Sequence, residues 1–181
     1  MSKFINKNRL SKDVSKDVKA YLKYLMEEDN NRKEDEQEYF DVMPKSLQKR
    51  VFADMYVGLL KNIPAFNKNF REDLLRALTN KMKEQTIGPG EIICPEDCGD
   101  AALYVMVKGQ AELYFERTKQ TAKIVRVGDF FGEVAFFSDR RNSVCARSDN
   151  YSRVFYLEEN EMMKIVNDFP DQKVTVISLP L

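Results

Sequence analysis

From Lys12 to Met82 the apolar residues recur at helical spacing. Val14, Val18, Tyr21, Leu22 and Leu25 make one amphipathic face behind Ser11, a fitting N-cap. A short helix is expected around Glu36–Met43, and Pro44 suits the first turn of the next one. That helix carries Leu47, Val51, Phe52, Met55, Tyr56, Leu59 and Leu60 and stops near Ile63-Pro64. A further one begins near Asn69 with Phe70, Leu74, Leu75, Leu78 and Met82. These stripes predict packing rather than chemistry. Between them Glu27–Glu38 is hydrophilic, with seven acidic and two basic residues, and reads as a solvated helix end and loop or as a set of ion pairs to a neighbouring subunit.

At Thr86 the pattern changes. Ile87-Gly88-Pro89-Gly90-Glu91 is a tight turn. Ile92-Ile93, then Leu103, Val105 and Val107, then Ala111, Leu113 and Phe115 alternate with a period of two, as strands do. Lys123–Val127, Asn142–Arg147 and Tyr151–Leu157 continue the series. Short strands at this spacing predict a β-roll of jelly-roll type. Glu158–Phe169 returns to a helix with Met162, Met163, Ile165, Val166 and Phe169 on its buried side, ended by Pro170.

The stretch 127–147, VGDFFGEVAFFSDRRNSVCAR, concentrates the candidate chemistry. Gly128-Asp129 is a turn pair, and Phe131-Gly132-Glu133 leads into a short apolar run from Val134 to Phe137. A glycine entering a one-turn helix lets backbone N–H groups approach an anion closely. Glu133 in that turn can accept hydrogen bonds from a sugar hydroxyl. Arg140 and Arg141 offer guanidinium forks to phosphate oxygens, and Ser143 adds a hydroxyl. A β-turn-β connection with a solvated charged loop satisfies the same spacing.

Composition narrows the field. The 181 residues suit one domain, or one with a helical appendage, and 43% hydrophobic content supports a core. The 29 basic and 29 acidic side chains cancel, with no basic stripe for nucleic acid. No segment approaches the roughly 20 apolar residues of a membrane span, and the start lacks a signal-peptide core. The chain is therefore expected to be soluble and cytosolic, as it stands or as part of something larger. Cys94, Cys98 and Cys145 form an odd set suited to reduced thiols. With no histidine and no second cysteine pair, no zinc site, Ser-His-Asp or Cys-His centre is expected.

Gly128-Asp129-Phe130-Phe131-Gly132-Glu133-Val134-Ala135, followed by Arg140-Arg141-Asn142-Ser143, resembles the phosphate-binding cassette of cyclic nucleotide-binding domains. The helical lead-in resembles the C-linker of pacemaker-type and cyclic nucleotide-gated cation channels, through Asn8-Arg9-Leu10, Pro44-x-x-Leu47-x-x-x-Val51 and Ile63-Pro64-x-Phe66. The likeness covers roughly residues 4–177. It implies an α+β chain: a helical C-linker at 1–63, then a β-roll cyclic nucleotide-binding domain with flanking helices at 64–181. It further implies a cytoplasmic gating module of a tetrameric cation channel that binds cAMP or cGMP, assembles through its C-linker and serves a pore in the parent chain. No cofactor, metal or enzymatic activity is implied.

The ligand would meet Phe131, Gly132, Glu133, Val134 and Ala135, with Glu133 on the ribose and the Gly132 and Ala135 N–H groups on the phosphate. Leu113 and Val125 would flank the base. Two departures stand out. A gapless placement anchored on Phe131-Gly132-Glu133 and Asp149-x-Tyr151 puts the family's phosphate arginine on Asn142 and its hydroxyl partner on Ser143. Arg141 lies one position earlier, and a one-residue slip in the Ser138–Arg141 loop would restore an arginine. The family's lid helix after Pro170 is reduced to Asp171–Leu181. These departures leave room for a non-binding homologue with a structural or assembly role in a voltage-gated potassium channel, which the intact Gly132-Glu133 opposes. A soluble kinase regulatory subunit ranks last, because no inhibitor segment or second nucleotide repeat is present.

Overall fold

The computed structural model describes residues 12–31, 42–99, 101–138 and 140–171. The chain divides into two compact units, residues 1–48 and 49–181. In the first, α1 (Lys12–Asn31) is the helix expected from the Val14–Leu25 stripe, and its Tyr21 and Tyr24 ring centroids lie 6.1 Å apart. Most of the helix predicted at Glu36–Met43, the Asn8-Arg9-Leu10 signature and the residues after Asp171 lie outside the described residues.

Helix α2 (Lys45–Lys61) starts in the first unit and runs on into the second. Its Val57 and Leu60 join Ile63, Phe66 of α3 (Pro64–Asn69), Phe70, and Leu74, Leu75 and Leu78 of α4 (Glu72–Thr79) in one apolar layer. Of the span expected as a helix from Asn69 to Met82, only Asn69, the end of α3, and Glu72–Thr79 are helical, and α3 is a separate helix that the apolar spacing did not predict. Phe70 and Arg71 are extended between them, and the Asn69 amide donates to the Ala65 carbonyl at 2.8 Å, closing the first. Glu72 and Asp73 then open α4, where carboxylates complement the helix dipole.

Eight strands follow among the described residues: β1 (Lys83–Ile87), β2 (Ile92–Cys94), β3 (Ala102–Lys108), β4 (Gln110–Tyr114), β5 (Thr121–Arg126), β6 (Phe130–Phe131), β7 (Cys145–Ser148) and β8 (Ser152–Glu158). They form two antiparallel four-stranded sheets, ordered β1-β8-β3-β6 and β2-β7-β4-β5. Strand β1 is absent from the hydrophobic pattern because only Ile87 of its five residues is buried, as suits an edge strand. The strand expected at Asn142–Arg147 begins only at Cys145.

Alternation along β3 separates two cores. Leu103 and Val105 face the helical layer, together with Leu157 of β8 and Met162, Ile165 and Val166 of α6 (Glu159–Val166). Met106 and Tyr104 face the inside of the roll, with Ile87, Ile93, Ala111, Val125, Phe131, Ala146 and Val154. At roughly 1.5–3 kcal/mol for each large apolar side chain fully buried, these layers supply the main drive to fold.

Phe66 is fully buried, edge-on to Phe70 at 5.0 Å and 5.6 Å from the Phe137 ring. Phe66→Ala should therefore destabilise the second unit by about 3–5 kcal/mol in denaturant unfolding. A loss below about 1 kcal/mol would contradict this packing.

Candidate functional site

The cassette starts at a turn fixed from both sides. Gly128 takes φ 91° and its N–H donates to the Met106 carbonyl at 2.9 Å, while the Met106 N–H donates to the Asp129 carbonyl at 2.9 Å. The Asp129 carboxylate accepts the Arg126 N–H at 2.9 Å. Two residues of β6 then pair with Tyr104 and Val105 of β3. Phe131 is buried, and its ring stacks on Tyr104 at 5.0 Å with planes 10° apart.

Gly132 turns the chain with φ 83° and caps α5 (Glu133–Phe136). A Cβ at this position would lie 2.3 Å from the Ala102 carbonyl oxygen and 3.2 Å from the Tyr104 ring. The Gly132 carbonyl accepts the Phe136 N–H at 3.1 Å, so the N–H groups of Glu133, Val134 and Ala135 have no carbonyl within the helix to bond. Ala135 and Phe136 are buried; Glu133 and Val134 are half-buried. The Glu133 carboxylate has no hydrogen-bond or ion-pair partner among the described residues.

Phe131 to Ala135 therefore form one continuous turn. The 140–143 segment is arranged otherwise. Arg141 is exposed, its guanidinium 3.3 Å from the Asp97 carbonyl and 3.4 Å from the Asp97 carboxylate. The Asp97 N–H donates to the Asn142 carbonyl at 2.8 Å, so the β2–β3 loop and the cassette loop hold each other. Asn142 is 7% exposed, and its amide nitrogen is buried without a partner. Ser143 is exposed. Leu113 and Val125 sit diagonally on neighbouring strands, through the Ala111–Val125 and Leu113–Lys123 pairs, with Val125 fully buried in the roll.

A cavity of about 420 Å³ opens near the cassette, lined by Gly99, Ala101, Ala102, Tyr104, Tyr156 and Glu158 among others. Tyr104 continues the aromatic row from Phe131 to Tyr156, 5.8 Å further on. Period-two alternation put Tyr104 in a strand, but no sequence signal placed it against the cassette glycine. Burial pushes the Cys94 thiol up to about 12, far from the range of a nucleophile or metal ligand. Among the described residues no cluster of acidic, cysteine or histidine side chains could hold a metal ion.

The two left-handed glycines can be told apart by substitution. Gly128 has open space where a Cβ would stand, so Gly128→Ala should lose about 1–2 kcal/mol from backbone strain alone. Gly132→Ala adds the collision with Ala102, and its denaturation midpoint should fall clearly below that of Gly128→Ala. Equal midpoints would mean that the close approach does not matter to stability.

Residues 84–169 match the family model of the cyclic nucleotide-binding domain. The chain is 24% identical to the rod photoreceptor alpha subunit of the cyclic nucleotide-gated channel of Gallus gallus, over 96% of this chain and 27% of that one. It is 25% identical to cyclic nucleotide-gated channel alpha-2 of Rattus norvegicus, over 91% of this chain and 25% of the relative. It is 26% identical to potassium channel AKT2 of Oryza sativa subsp. japonica, over 97% of this chain and 20% of the relative. The chain thus spans about a quarter or less of the length of these relatives. Among solved structures it is similar in fold to one described as cAMP bound PfPKA-R (141-441), with a TM-score of 0.54 and 20% identity over 68% of this chain and 43% of that one. No described helix is long and apolar enough to cross a membrane. The fold and these likenesses agree: residues 84–169 are a cyclic nucleotide-binding domain, similar to those of cation channels.

Proposed function

We propose that this chain is the cytoplasmic ligand-sensing and gating module of a tetrameric cation channel, binding cAMP or cGMP in the β-roll. The observation that carries the reading is the cassette turn: left-handed Gly132 packed against β3 and, among the described residues, a Glu133 carboxylate without a partner and three N–H groups open at the start of α5. Glu133 takes the ribose hydroxyl, and the turn's N–H groups, from Gly132 to Ala135, take the cyclic phosphate. Ser143 assists, and Leu113 and Val125 flank the base. Residues 1–63 act as the C-linker that forms the tetramer and couples to a pore elsewhere in the parent chain; residues 64–181 act as the sensor. The role is regulatory, with no catalytic step.

Occupancy can pass to the helices through Phe136 and Phe137, whose rings meet at 4.9 Å directly after the cassette turn. Phe137 packs on Phe66 of α3, so a shift of α5 presses on the helical layer. Coupling of this kind requires the nucleotide to favour one arrangement of that contact over another.

A second reading, a non-binding structural homologue, is favoured by the 140–143 segment. Arg141 is engaged by Asp97, and the residue at the family's arginine position is a buried neutral amide. The readings differ in one measurement. Calorimetric titration with cAMP and cGMP should give micromolar binding that is lost in Glu133→Ala. Asn142→Arg should tighten binding by on the order of 10–100-fold, since a charge-assisted hydrogen bond is worth about 1.5–3 kcal/mol. No heat into the millimolar range, in the wild type and in Asn142→Arg alike, would favour the structural reading.

A further inference from the structure

The cassette loop carries a second feature beyond the part that Ser143 takes in the nucleotide reading. Arg140-Arg141-Asn142-Ser143-Val144 places two guanidinium groups three and two residues before a serine hydroxyl, with an apolar residue directly after it. Protein kinases with acidic substrate grooves select serine by such charge patterns, because each arginine can form charge-assisted hydrogen bonds to a carboxylate. We propose that Ser143 is a phosphorylation site for a basophilic serine/threonine kinase, and that its phosphate opposes occupation of the cassette. The regulatory half rests on the cyclic nucleotide reading above; the modification itself does not.

The structure meets the demands of such a substrate. Arg140, Arg141 and Ser143 are exposed, and residues 140–144 belong to neither a helix nor a strand. The Ser143 hydroxyl has no hydrogen-bond partner among the described residues, nor has the Arg140 guanidinium. Among the described residues Arg141 is held only through Asp97, in a contact 66% and 76% exposed on its two sides, and such surface pairs are weak. Among the described residues the backbone ties along 140–143 are the Asp97 N–H bond to the Asn142 carbonyl and the Arg140 N–H bond to Ser138 Oγ at 3.3 Å. Extending the loop into a kinase groove means releasing these ties and drawing out the buried Asn142 side chain, all of it before β7, which begins at Cys145.

The reaction is phosphoryl transfer from magnesium ATP bound by the kinase. The Ser143 Oγ attacks the γ-phosphorus, the bond to the β–γ bridging oxygen breaks, and ADP leaves. The hydroxyl proton passes to the kinase's catalytic carboxylate. The product carries a charge of about −1.5 to −2 at neutral pH, next to the expected seat of the ligand's phosphate and in a loop where the nearest predicted donor, Asn142, is neutral. Repulsion between the two phosphates would weaken nucleotide binding by at least about tenfold.

The test incubates the protein with the catalytic subunit of cAMP-dependent kinase and magnesium ATP, followed by intact-mass and peptide mass spectrometry. One phosphate on Ser143 is expected, absent in Ser143→Ala and slowed by about tenfold or more in Arg140→Ala. Ser143→Thr keeps an acceptor and should still be modified. No phosphate on Ser143 under conditions that fully modify a free 138–146 peptide would overturn the proposal. Calorimetry with cAMP and with cGMP then compares the modified and unmodified wild-type protein. Unchanged affinity would overturn the regulatory half, whereas absence of binding in both forms would sink the nucleotide reading and leave the mass result standing.

Discussion

Residue 132 has no Cβ, and the cassette depends on that. The chain leaves β6 with φ 83° and passes so close to the Ala102 carbonyl that a side chain would lie 2.3 Å from it. Strand β3 therefore serves as the bench on which the turn is built. Its Tyr104 ring lies against both Phe131 and the glycine, and its Met106 carbonyl anchors Gly128. The direction of α5, and with it the position of Glu133, follows from this one contact. A helix of four residues has little stability of its own, so its geometry is imposed by the strand beneath.

The same strand joins the site to the rest of the unit. Odd-numbered Leu103 and Val105 pack on the helices, while even-numbered Tyr104 and Met106 line the roll. Phe136 and Phe137 carry the cassette into the helical core, and Phe66 receives them. A change at Glu133 driven by the proposed ligand would have a short packed route to α3, through side chains that cannot deform gradually because the core around them is close-packed. The cassette loop has a different support, the reciprocal contacts of Asp97 with Arg141 and Asn142.

Much of this was legible in the sequence. The alternation at Leu103–Val107 and Ala111–Phe115 marked strands, and Gly132-Glu133 before an apolar run marked the one-turn helix. Strand β1 was not legible, because Lys83–Thr86 are all exposed and an edge strand with one buried residue leaves no period to detect. Helix α3 was hidden because Phe66 is the one buried residue among its six, and Phe70 fits the start of the next helix as well as the extended joint it occupies. The engagement of Arg141 by Asp97 and the burial of Asn142 are long-range facts, set by a loop more than forty residues away in the chain. Spacing could nominate both residues for an anion; it could not show that one amide is enclosed without a partner.

On the function proposed above, the Gly132–Ala135 turn is where a cyclic nucleotide binds. The most direct test is the backbone amide NMR spectrum of the protein titrated with cAMP and, separately, with cGMP. If the turn holds the cyclic phosphate, the amides of Gly132, Glu133, Val134 and Ala135 should show the largest shifts, saturating together with those of Leu113 and Val125. Shifts that are absent from the turn at millimolar ligand, or concentrated elsewhere in the roll, would contradict that assignment.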